Sequence, residues 1–423
     1  MNLAIPRGTG VATYARSLGA CLDGMGHEID LLFGMDTAAA TPPDVAFFEQ
    51  LHTERGYRRP KYPTPAWIRA MLRARSGETA KPITLTGRVE ARPFAGRLPP
   101  HDRILNSDNL FGRATHYFRV FGRFMHVRIP NPPAIMHWTY PIPVHLEGAR
   151  NIYTVHDLVP LRMPYATLDH KPTHVKLLRT CIDRGDHILT VSDRSREDLF
   201  AFFPDADRDR VSNTYQALAP TIPALDPAHI TRLLRDGFGL TPGGYFLFFG
   251  SIEPKKNVAR LLQAFLASDL AIPLVIVTAR GWQAGAEAAL LDRAPDDRRI
   301  RRIEYVDADI LATLIKGARA VTFPSLYEGF GLPVVEAMQA GTPVLTSREG
   351  SLPEVGGDAV LYVDAYDVAS IAAGLMRLAT DDALYADLQA QGPQQAERFS
   401  MPHYAERLEA VYETVLGRPT RPG

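Results

Sequence analysis

Residues 320–339, AVTFPSLYEGFGLPVVEAMQ, combine a short apolar run, a glycine-rich loop and a stretch with helical spacing. Ala320–Phe323 predicts a buried β-strand, and Leu332–Gln339 predicts a helix. The glycines at 329 and 331 would place backbone N–H groups at the start of that helix, where the helix dipole also favours an anion. The stretch therefore predicts a parallel α/β sheet with a phosphate-bearing ligand at the carboxyl end of one strand.

The alternation of strand and helix continues on both sides of this stretch. In the second half of the chain we predict further elements at Tyr245–Phe249, Val258–Leu266, Leu274–Thr278, Ile310–Ala318 and Val344–Thr346. In the first half, Ile152–Val155 and His187–Val191 are predicted strands, with a helix at Thr173–Arg184 between them. Strands that alternate with helices form a parallel sheet covered on both faces, so the predicted fold class is α/β.

The length of 423 residues exceeds what a single hydrophobic core usually supports, which predicts two domains. Prolines at 220, 223 and 227 indicate a linker, and we place the domain boundary there. The prediction is an N-terminal domain over residues 1–222, a second domain over 223–400 and a C-terminal segment over 401–423. Within that last segment, residues 404–416 carry an apolar stripe on one side, which predicts a packed helix.

Two carboxylates and a second glycine pair are the first candidate ligand-binding residues. Glu328 follows the predicted strand, and Glu336 lies about one turn into the helix. A carboxylate accepts two hydroxyl hydrogen bonds at once, which suits sugar and ribose hydroxyls. Near the N-terminus, Gly8 and Gly10 follow a short apolar strand and precede a predicted helix at Val11–Leu18, a second arrangement that favours phosphate.

With these residues in view, the stretch Phe248–Asp364 resembles the retaining GT-B glycosyltransferases of group 1, also called family four. The spacing of Glu328 and Glu336 matches that family's E-x7-E signature. Further similar segments are residues 250–257 (GSIEPKKN), 341–344 (GTPV), 350–354 (GSLPE) and 154–160 (TVHDLVP). The resemblance spans about two thirds of the chain.

The resemblance implies two Rossmann-like domains whose parallel sheets face each other across a cleft, with a C-terminal helix that crosses back to the first domain. The N-terminal domain would bind the acceptor and the second domain a nucleotide-sugar donor. The implied donor-binding residues are Gly8, Gly10, Gly250, Ser251, Lys255, Lys256, Glu328, Gly329, Phe330, Gly331, Leu332 and Glu336.

Roles in catalysis are implied for three residues. Glu328 would contact the transferred sugar, Lys256 would neutralise the leaving phosphate, and His156 would bind an outer hydroxyl of the donor sugar and support the departing group. Glu336 would bind the ribose hydroxyls. Ser251 stands where a family member usually has Arg, which leaves one cation where two are expected unless Lys255 compensates.

In similar enzymes, retention proceeds by front-face substitution, so we assign no catalytic nucleophile. Asp307-Ala308-Asp309 has the form of a metal-binding D-x-D, but it precedes an apolar-periodic helix, and we interpret Asp309 as its N-cap. We therefore predict neither a metal ion nor a cofactor, because the nucleotide sugar is itself a substrate.

Two further segments bear on the identity of the donor sugar and of the acceptor. The GSIEPKKN segment resembles mannosyltransferases of bacterial exopolysaccharide and O-antigen assembly, so GDP-mannose is the first expected donor, ahead of UDP-glucose and dTDP-rhamnose. Residues 55–128 hold sixteen Lys or Arg against four Asp or Glu, with aromatic residues interleaved. Such a basic insertion favours a lipid-linked or saccharide acceptor and peripheral contact with an anionic membrane. The alternative is a solvated, loop-rich insertion whose arginines pair with acidic groups elsewhere.

Composition limits the other function classes. Lys plus Arg and Asp plus Glu number 47 each, so no overall positive charge favours nucleic acid. Cys21 and Cys181 form no disulfide framework, and no signal sequence or run of 18 apolar residues is evident, which predicts a cytoplasmic protein. Two rival functions stay open: a sugar-nucleotide epimerase of the same fold, and a non-catalytic glycosyltransferase-like scaffold.

Overall fold

The computed structural model describes residues 10–37, 42–53, 71–72, 74–84, 86, 88, 98–167, 170–218, 226–278, 299–304 and 306–418. Its strands fall into two groups along the chain. Three small sheets lie within residues 30–213, and one six-stranded sheet lies within residues 246–363. The predicted domain boundary at residues 222 and 223 falls outside the described residues.

The six-stranded sheet is parallel throughout, in the order β13-β12-β11-β14-β15-β16. Its strands are β11 (Phe246–Phe249), β12 (Leu274–Thr278), β13 (Ile300–Glu304), β14 (Ala320–Phe323), β15 (Val344–Ser347) and β16 (Leu361–Val363). Every residue of β11, β12, β14 and β15 is buried, because helices cover both faces of the sheet. The predicted strands at 274–278 and 320–323 are confirmed, whereas the edge strand β13 was missed because its sequence, IRRIE, is charged.

The strands of the N-terminal half are β1 (Asp30–Phe33), β2 (Glu78–Thr79), β3 (Lys81–Pro82), β4 (Arg103–Asn106), β5 (Met125–Arg128), β6 (Ile135–Trp138), β7 (Val144–Leu146), β8 (Arg150–Val155), β9 (His187–Thr190) and β10 (Val211–Asn213). They form the sheets β10-β9-β8-β6, β1-β4-β3 and β2-β5-β7. All described pairings in this half are parallel except that of β3 with β4. The carboxyl ends of β6 and β8 therefore lie at the same edge of their sheet.

The helices, numbered along the described chain, are α1 (Gly10–Gly24), α2 (Pro43–Thr53), α3 (Leu110–Phe121), α4 (Val159–Arg162), α5 (Lys171–Arg184), α6 (Asp193–Phe202), α7 (Pro227–Phe238), α8 (Val258–Leu266), α9 (Ala308–Gly317), α10 (Leu332–Gln339), α11 (Leu352–Gly356), α12 (Val368–Thr380), α13 (Asp382–Ala396) and α14 (Met401–Leu416). The predicted helices α8 and α10 are confirmed. Pro227 was expected in a linker, but it occupies the first turn of α7 behind the N-cap Asp226.

The basic insertion is more regular than a loop-rich segment. Its last third forms the strand–helix–strand unit β4-α3-β5, and one face of α3 is buried. The strand pattern was obscured by Arg103 in β4 and Arg128 in β5, whose charges pair with the carboxylates of Asp30 and Glu147. The loop-rich part of that alternative is therefore wrong for residues 103–128, whereas the pairing of arginines with acidic groups elsewhere is confirmed for Arg103 and Arg128. Residues 54–70 and 89–97 lie outside the described residues.

Helix α14 packs against α1 at the N-terminal end of the fold. Tyr404 and Leu408 are buried, and the Tyr404 ring contacts the ring of Tyr14. The hydroxyl of Tyr412 lies 2.8 Å from Nδ1 of His137 in β6. The last helix therefore ties the end of the chain to the sheet that carries one side of the site described below.

Candidate active site

The loop between β14 and α10 has the geometry of an anion-binding turn. Gly331 is the N-cap of α10 and has φ = +104°, a conformation that favours glycine. The hydroxyl of Ser351 donates to the carbonyls of Glu328 and Phe330, at 3.1 and 2.8 Å. Because the C=O and N–H of one peptide unit point in opposite directions, the amides of Gly329 and Gly331 point away from Ser351. The loop thus presents two N–H groups on one side.

Glu328 is buried at the carboxyl end of β14 and forms an ion pair with Lys256. Its Oε1 lies 2.7 Å from Nζ of Lys256, which follows the neighbouring strand β11 in a 3-10 turn. Gly350 (φ = +62°) packs on the backbone of Glu328, where a Cβ at position 350 would lie 2.5 Å from the Glu328 carbonyl oxygen. The acid is therefore held in place by its side chain and its backbone.

Glu336 lies on α10, one turn from the loop, and is half-buried. Burial raises the pKa of its carboxyl to about 7. Among the described residues, no side chain makes a hydrogen bond or an ion pair with this carboxyl. It is thus available to accept hydroxyl groups from a ligand bound at the loop.

His156 follows β8 in the N-terminal half. Its Nε2 lies 2.7 Å from the carbonyl oxygen of Thr139, so Nε2 carries the proton and Nδ1 has a free lone pair. The ring meets that of Tyr14 edge-to-face, with centroids 4.9 Å apart. Burial lowers the pKa of His156, which keeps the imidazole neutral.

Lys255 supplies a second cation beside Lys256. Its Nζ lies 3.6 Å from Oδ2 of Asp157, the residue after His156. Burial lowers the pKa of Lys255, but the carboxylates of Asp157 and Glu328 raise it by more, so the net shift is upward and the amine stays charged. Ser251, where the resemblance implied Arg, instead donates to Oε1 of Glu253 across 2.6 Å.

The two halves of the chain meet at these residues. A Cβ on Gly329 would lie 2.2 Å from the carbonyl oxygen of His156, and one on Gly10 would lie 3.6 Å from the Leu332 side chain. The structure therefore gathers most of the sequence-predicted residues in one place: Gly10, His156, Lys255, Lys256, Glu328, Gly329, Gly331 and Leu332. Gly8 lies outside the described residues.

Two predicted donor-binding residues can contribute only through the backbone. The Phe330 side chain is buried against Phe399, with ring centroids 5.3 Å apart. Gly250 follows β11 and has φ = +138°, a backbone conformation that residues other than glycine rarely adopt. Phe330 therefore serves to pack the loop against Phe399, and Gly250 allows the chain to turn after β11.

The D-x-D sequence is a helix start, but the N-cap was assigned to the wrong aspartate. Asp307 accepts a hydrogen bond from the backbone N–H of Ile310 across 2.8 Å, and Asp309 lies within the first turn of α9. The helix begins two residues earlier than predicted, which moves the cap. In the described part of the chain, no group of three His, Cys, Asp or Glu side chains could hold a metal ion.

A cavity of about 400 Å³ lies elsewhere, between α1, β1, β6 and α14. Its lining is mainly apolar and includes Leu18, Leu31, Met136 and Leu416. It contains none of the predicted donor-site residues, so its volume is no measure of the candidate active site.

Comparison with known proteins bears directly on this site. Residues 238–395, which include α10 and its loop, match the family described as glycosyl transferases group 1. The chain is also 36% identical over 264 residues to the O-antigen chain mannosyltransferase B of Escherichia coli, a match that covers 61% of this chain and 68% of that protein. The chain belongs to the group 1 glycosyl transferases.

A further relative is similar in sequence, and two solved structures are similar in fold. The serotype-specific mannosyltransferase WbdA of Escherichia coli is 29% identical over 275 residues, although the match spans only 33% of that protein. Sucrose-phosphate synthase from Thermosynechococcus elongatus superposes with a TM-score of 0.66 at 16% identity, over 98% of this glycosyltransferase and 97% of that chain. HepE of Anabaena superposes with a TM-score of 0.59 at 14% identity, over 92% of this chain and 100% of that chain. The fold of this glycosyltransferase is GT-B, as the sequence predicted.

Sequence reasoning missed four residues that join the two halves beside the site: Ser195, Asp198, Tyr327 and Glu354. Ser195 and Glu354 bind backbone groups, and Asp198 and Tyr327 bind each other through buried side chains, which no spacing rule identifies. The local signals were Ser192, which caps α6 after β9, and the segment 350–354, which contains Glu354.

Proposed function

We propose that this glycosyltransferase is a retaining, metal-independent hexosyltransferase that uses a nucleotide sugar, with GDP-mannose as the first candidate donor. The observation that carries the proposal is the buried Lys256–Glu328 pair beside the two loop amides of α10. A diphosphate needs cations and N–H donors, and a sugar needs a carboxylate next to them. This arrangement offers both within one site.

The diphosphate would bind with its charge shared between Lys256, Lys255 and the amides of Gly329 and Gly331. Preorganised donors of this kind stabilise the charge that develops on a leaving phosphate. Glu336 would accept the ribose hydroxyls. His156, neutral and with Nδ1 free, would accept a hydroxyl of the sugar from the opposite half.

A front-face reaction fits the charges at the site. Glu328 is engaged by Lys256, which stabilises its carboxylate and makes it a poor nucleophile. The leaving phosphate would therefore take the acceptor proton, and the sugar would keep its configuration. Closure of the two halves around the donor would exclude water and limit hydrolysis.

Mannose is favoured because relatives at 36% and 29% identity are mannosyltransferases. The same relatives support an acceptor in the assembly of O-antigen or a similar cell-surface polysaccharide, carried on a saccharide or a lipid. UDP-glucose and dTDP-rhamnose are the next donors to test.

A lipid-linked acceptor would bring the enzyme to the cytoplasmic face of the inner membrane. Helix α3 ends in two exposed apolar residues, Val120 (52%) and Phe121 (49%), between the exposed Arg119 and Arg123. Apolar side chains flanked by cations suit the interface of an anionic bilayer. In the described residues, no helix is both long and apolar enough to cross a membrane.

Thermal shift with GDP, UDP, dTDP and ADP tests the donor site, with Glu336→Ala as the matched variant. A nucleotide at a hundred times its dissociation constant adds about 2.7 kcal/mol to the stability of the folded state. We expect GDP to stabilise the wild type and the substitution to weaken that effect. If no nucleotide stabilises the wild type, the site is not a donor site and a scaffold role is favoured.

Product analysis separates transfer from epimerisation. Incubation with GDP-mannose alone should leave the sugar unchanged apart from slow hydrolysis, whereas an acceptor should yield an α-linked mannoside. A changed sugar nucleotide without any acceptor would contradict the proposal and indicate an epimerase.

A further inference from the structure

Helix α6 of the N-terminal half is held at its start by a residue of the other half. Glu354, in α11, accepts the backbone N–H groups of Asp193 and Arg194 at 2.7 and 3.1 Å. A carboxylate at this position satisfies free amides and is favoured by the helix dipole. Glu354 therefore fixes the start of α6 against the second half.

Ser195, in the first turn of α6, contacts both sides of the candidate active site. It is fully buried, and its Oγ lies 2.9 Å from the carbonyl oxygen of His156 and 3.2 Å from that of Gly329. The hydroxyl of Ser192 donates to the same Oγ at 3.0 Å. Because one lone pair of Ser195 is taken by Ser192, its proton is left for the two carbonyls.

Further along α6, Asp198 receives a third contact from the second half. The phenol of Tyr327, the residue before Glu328, donates to this buried carboxylate. Arg162 and Arg194 neutralise the charge of Asp198, at 2.5 and 3.3 Å. Ser195 and Asp198 thus bind the loop that contains Glu328 and Gly329, and the start of the same helix binds Glu354 of α11.

We propose that Ser195 is a positioning residue for sugar transfer, which holds the His156 loop and the Gly329 loop at a set separation when the two halves are closed. The inference rests on the proposed function, because it assigns those loops to the sugar and to the diphosphate. Ser195 itself touches neither ligand. Glu354 and Tyr327 keep α6 docked so that one hydroxyl spans both carbonyls.

This role predicts that loss of the Ser195 hydroxyl changes the turnover rate but not the affinity for the nucleotide. The nucleotide would bind to the second half, whose loop keeps its own support from Ser351. Loss of the Ser195 hydroxyl should therefore leave nucleotide affinity nearly unchanged, whereas the arrangement of His156 relative to the donor would relax. Small displacements of positioned groups reduce turnover more than binding.

The experiment compares Ser195→Ala and Ser195→Thr with Ser268→Ala. Ser268 is also a buried serine whose hydroxyl donates to a backbone carbonyl, that of Phe265 at 2.6 Å, but it lies beyond the far end of α8. We expect kcat to fall about tenfold in Ser195→Ala, with the dissociation constant of GDP changed by less than about twofold. Ser195→Thr, which keeps the hydroxyl, should recover most of kcat, and Ser268→Ala should match the wild type.

Equal kcat values for Ser195→Ala and Ser268→Ala would overturn the inference, as would an equal loss of kcat and GDP affinity. Hydrogen exchange at residues 327–331 provides a readout that needs no activity. Exchange there should be about two- to tenfold faster in Ser195→Ala and unchanged in Ser268→Ala. If the wild type neither binds a nucleotide nor transfers sugar, the proposed function fails, but this exchange still decides whether Ser195 holds the loop.

Discussion

Nζ of Lys256 lies 2.7 Å from Oε1 of Glu328, and both side chains are largely withdrawn from solvent, with exposures of 13% and 7%. The two residues follow neighbouring parallel strands, so the sheet itself brings them together. A ligand diphosphate would compete for the ammonium group, while Glu328 would turn to the sugar.

The first prediction concerns this pair. Lys256→Met should lower the free energy of unfolding by about 3 kcal/mol, because it leaves a buried carboxylate without its partner. The double variant Lys256→Met/Glu328→Gln should regain at least half of that loss, since no uncompensated charge remains. Urea unfolding of the wild type, both single variants and the double variant measures the coupling. Additive losses would show that the pair contributes nothing as a pair.

The second prediction concerns the pH dependence of nucleotide binding. Because burial raises the pKa of Glu336 to about 7, its carboxyl is mostly protonated at about pH 6 and ionised at about pH 8. The ionised form is the better acceptor of ribose hydroxyls, so GDP should bind more tightly as the pH rises through 7. Calorimetric titration of Glu336→Gln should show weaker binding without that rise. If GDP affinity changed with pH in the same way in the wild type and in Glu336→Gln, the role of Glu336 would be contradicted.

The raised pKa of the Glu336 carboxyl also determines whether the protein gains or loses stability as the pH rises. In the unfolded chain this carboxyl has its ordinary pKa of 4.5, whereas in the folded protein its pKa is about 7. The folded state therefore binds more protons in this interval, and the wild type loses stability as the pH rises from 4.5 to 7. Relative to the wild type, Glu336→Gln should gain stability over that interval and stay level above it. Denaturant titrations across the interval test the sign.

The third prediction concerns the close contact between Gly350 and the backbone of Glu328. Gly350→Ala introduces a Cβ at 2.5 Å from the Glu328 carbonyl oxygen, in addition to the strain of φ = +62°. Gly243 has a similar φ of +70° but open space around its Cβ position, so Gly243→Ala carries the strain alone. We expect losses in the free energy of unfolding of about 3 and about 1 kcal/mol respectively. Only Gly350→Ala should also lose transfer activity, and equal behaviour of both variants would refute the contact.

The fourth prediction concerns the membrane. Phe121→Asp and Val120→Asp should weaken sedimentation with vesicles that contain anionic lipid, because each removes an exposed apolar group and adds a repelled charge. Neutralising Arg119 and Arg123 should weaken it as well and reduce its dependence on salt. Tyr165, which is 73% exposed on the Pro164–Ala166 turn, offers a control for a generic loss of surface apolar area. Unchanged sedimentation of the α3 variants would place any membrane contact elsewhere.

Much of the second half was predictable because its signals are local. The strand Ala320–Phe323, the glycine loop and the helix Leu332–Gln339 occur in the predicted places, since each depends on neighbours within a few residues. The N-terminal half was harder. Strands β4 and β5 carry arginines whose partners are distant in sequence, so their pattern did not predict a buried sheet.

The sequence by itself determined the α/β class, the glycine-rich loop after β14 and the positions of Glu328 and Glu336, because these features depend on residue type and on neighbours within a few positions. Only the tertiary structure decided that Glu328 pairs with Lys256, that Lys255 stands beside Asp157 and that Ser195 spans His156 and Gly329. These contacts join residues 39 to 134 positions apart. They exist because parallel strands bring their carboxyl ends to one edge and because the two halves close on each other, and neither fact is encoded in local spacing.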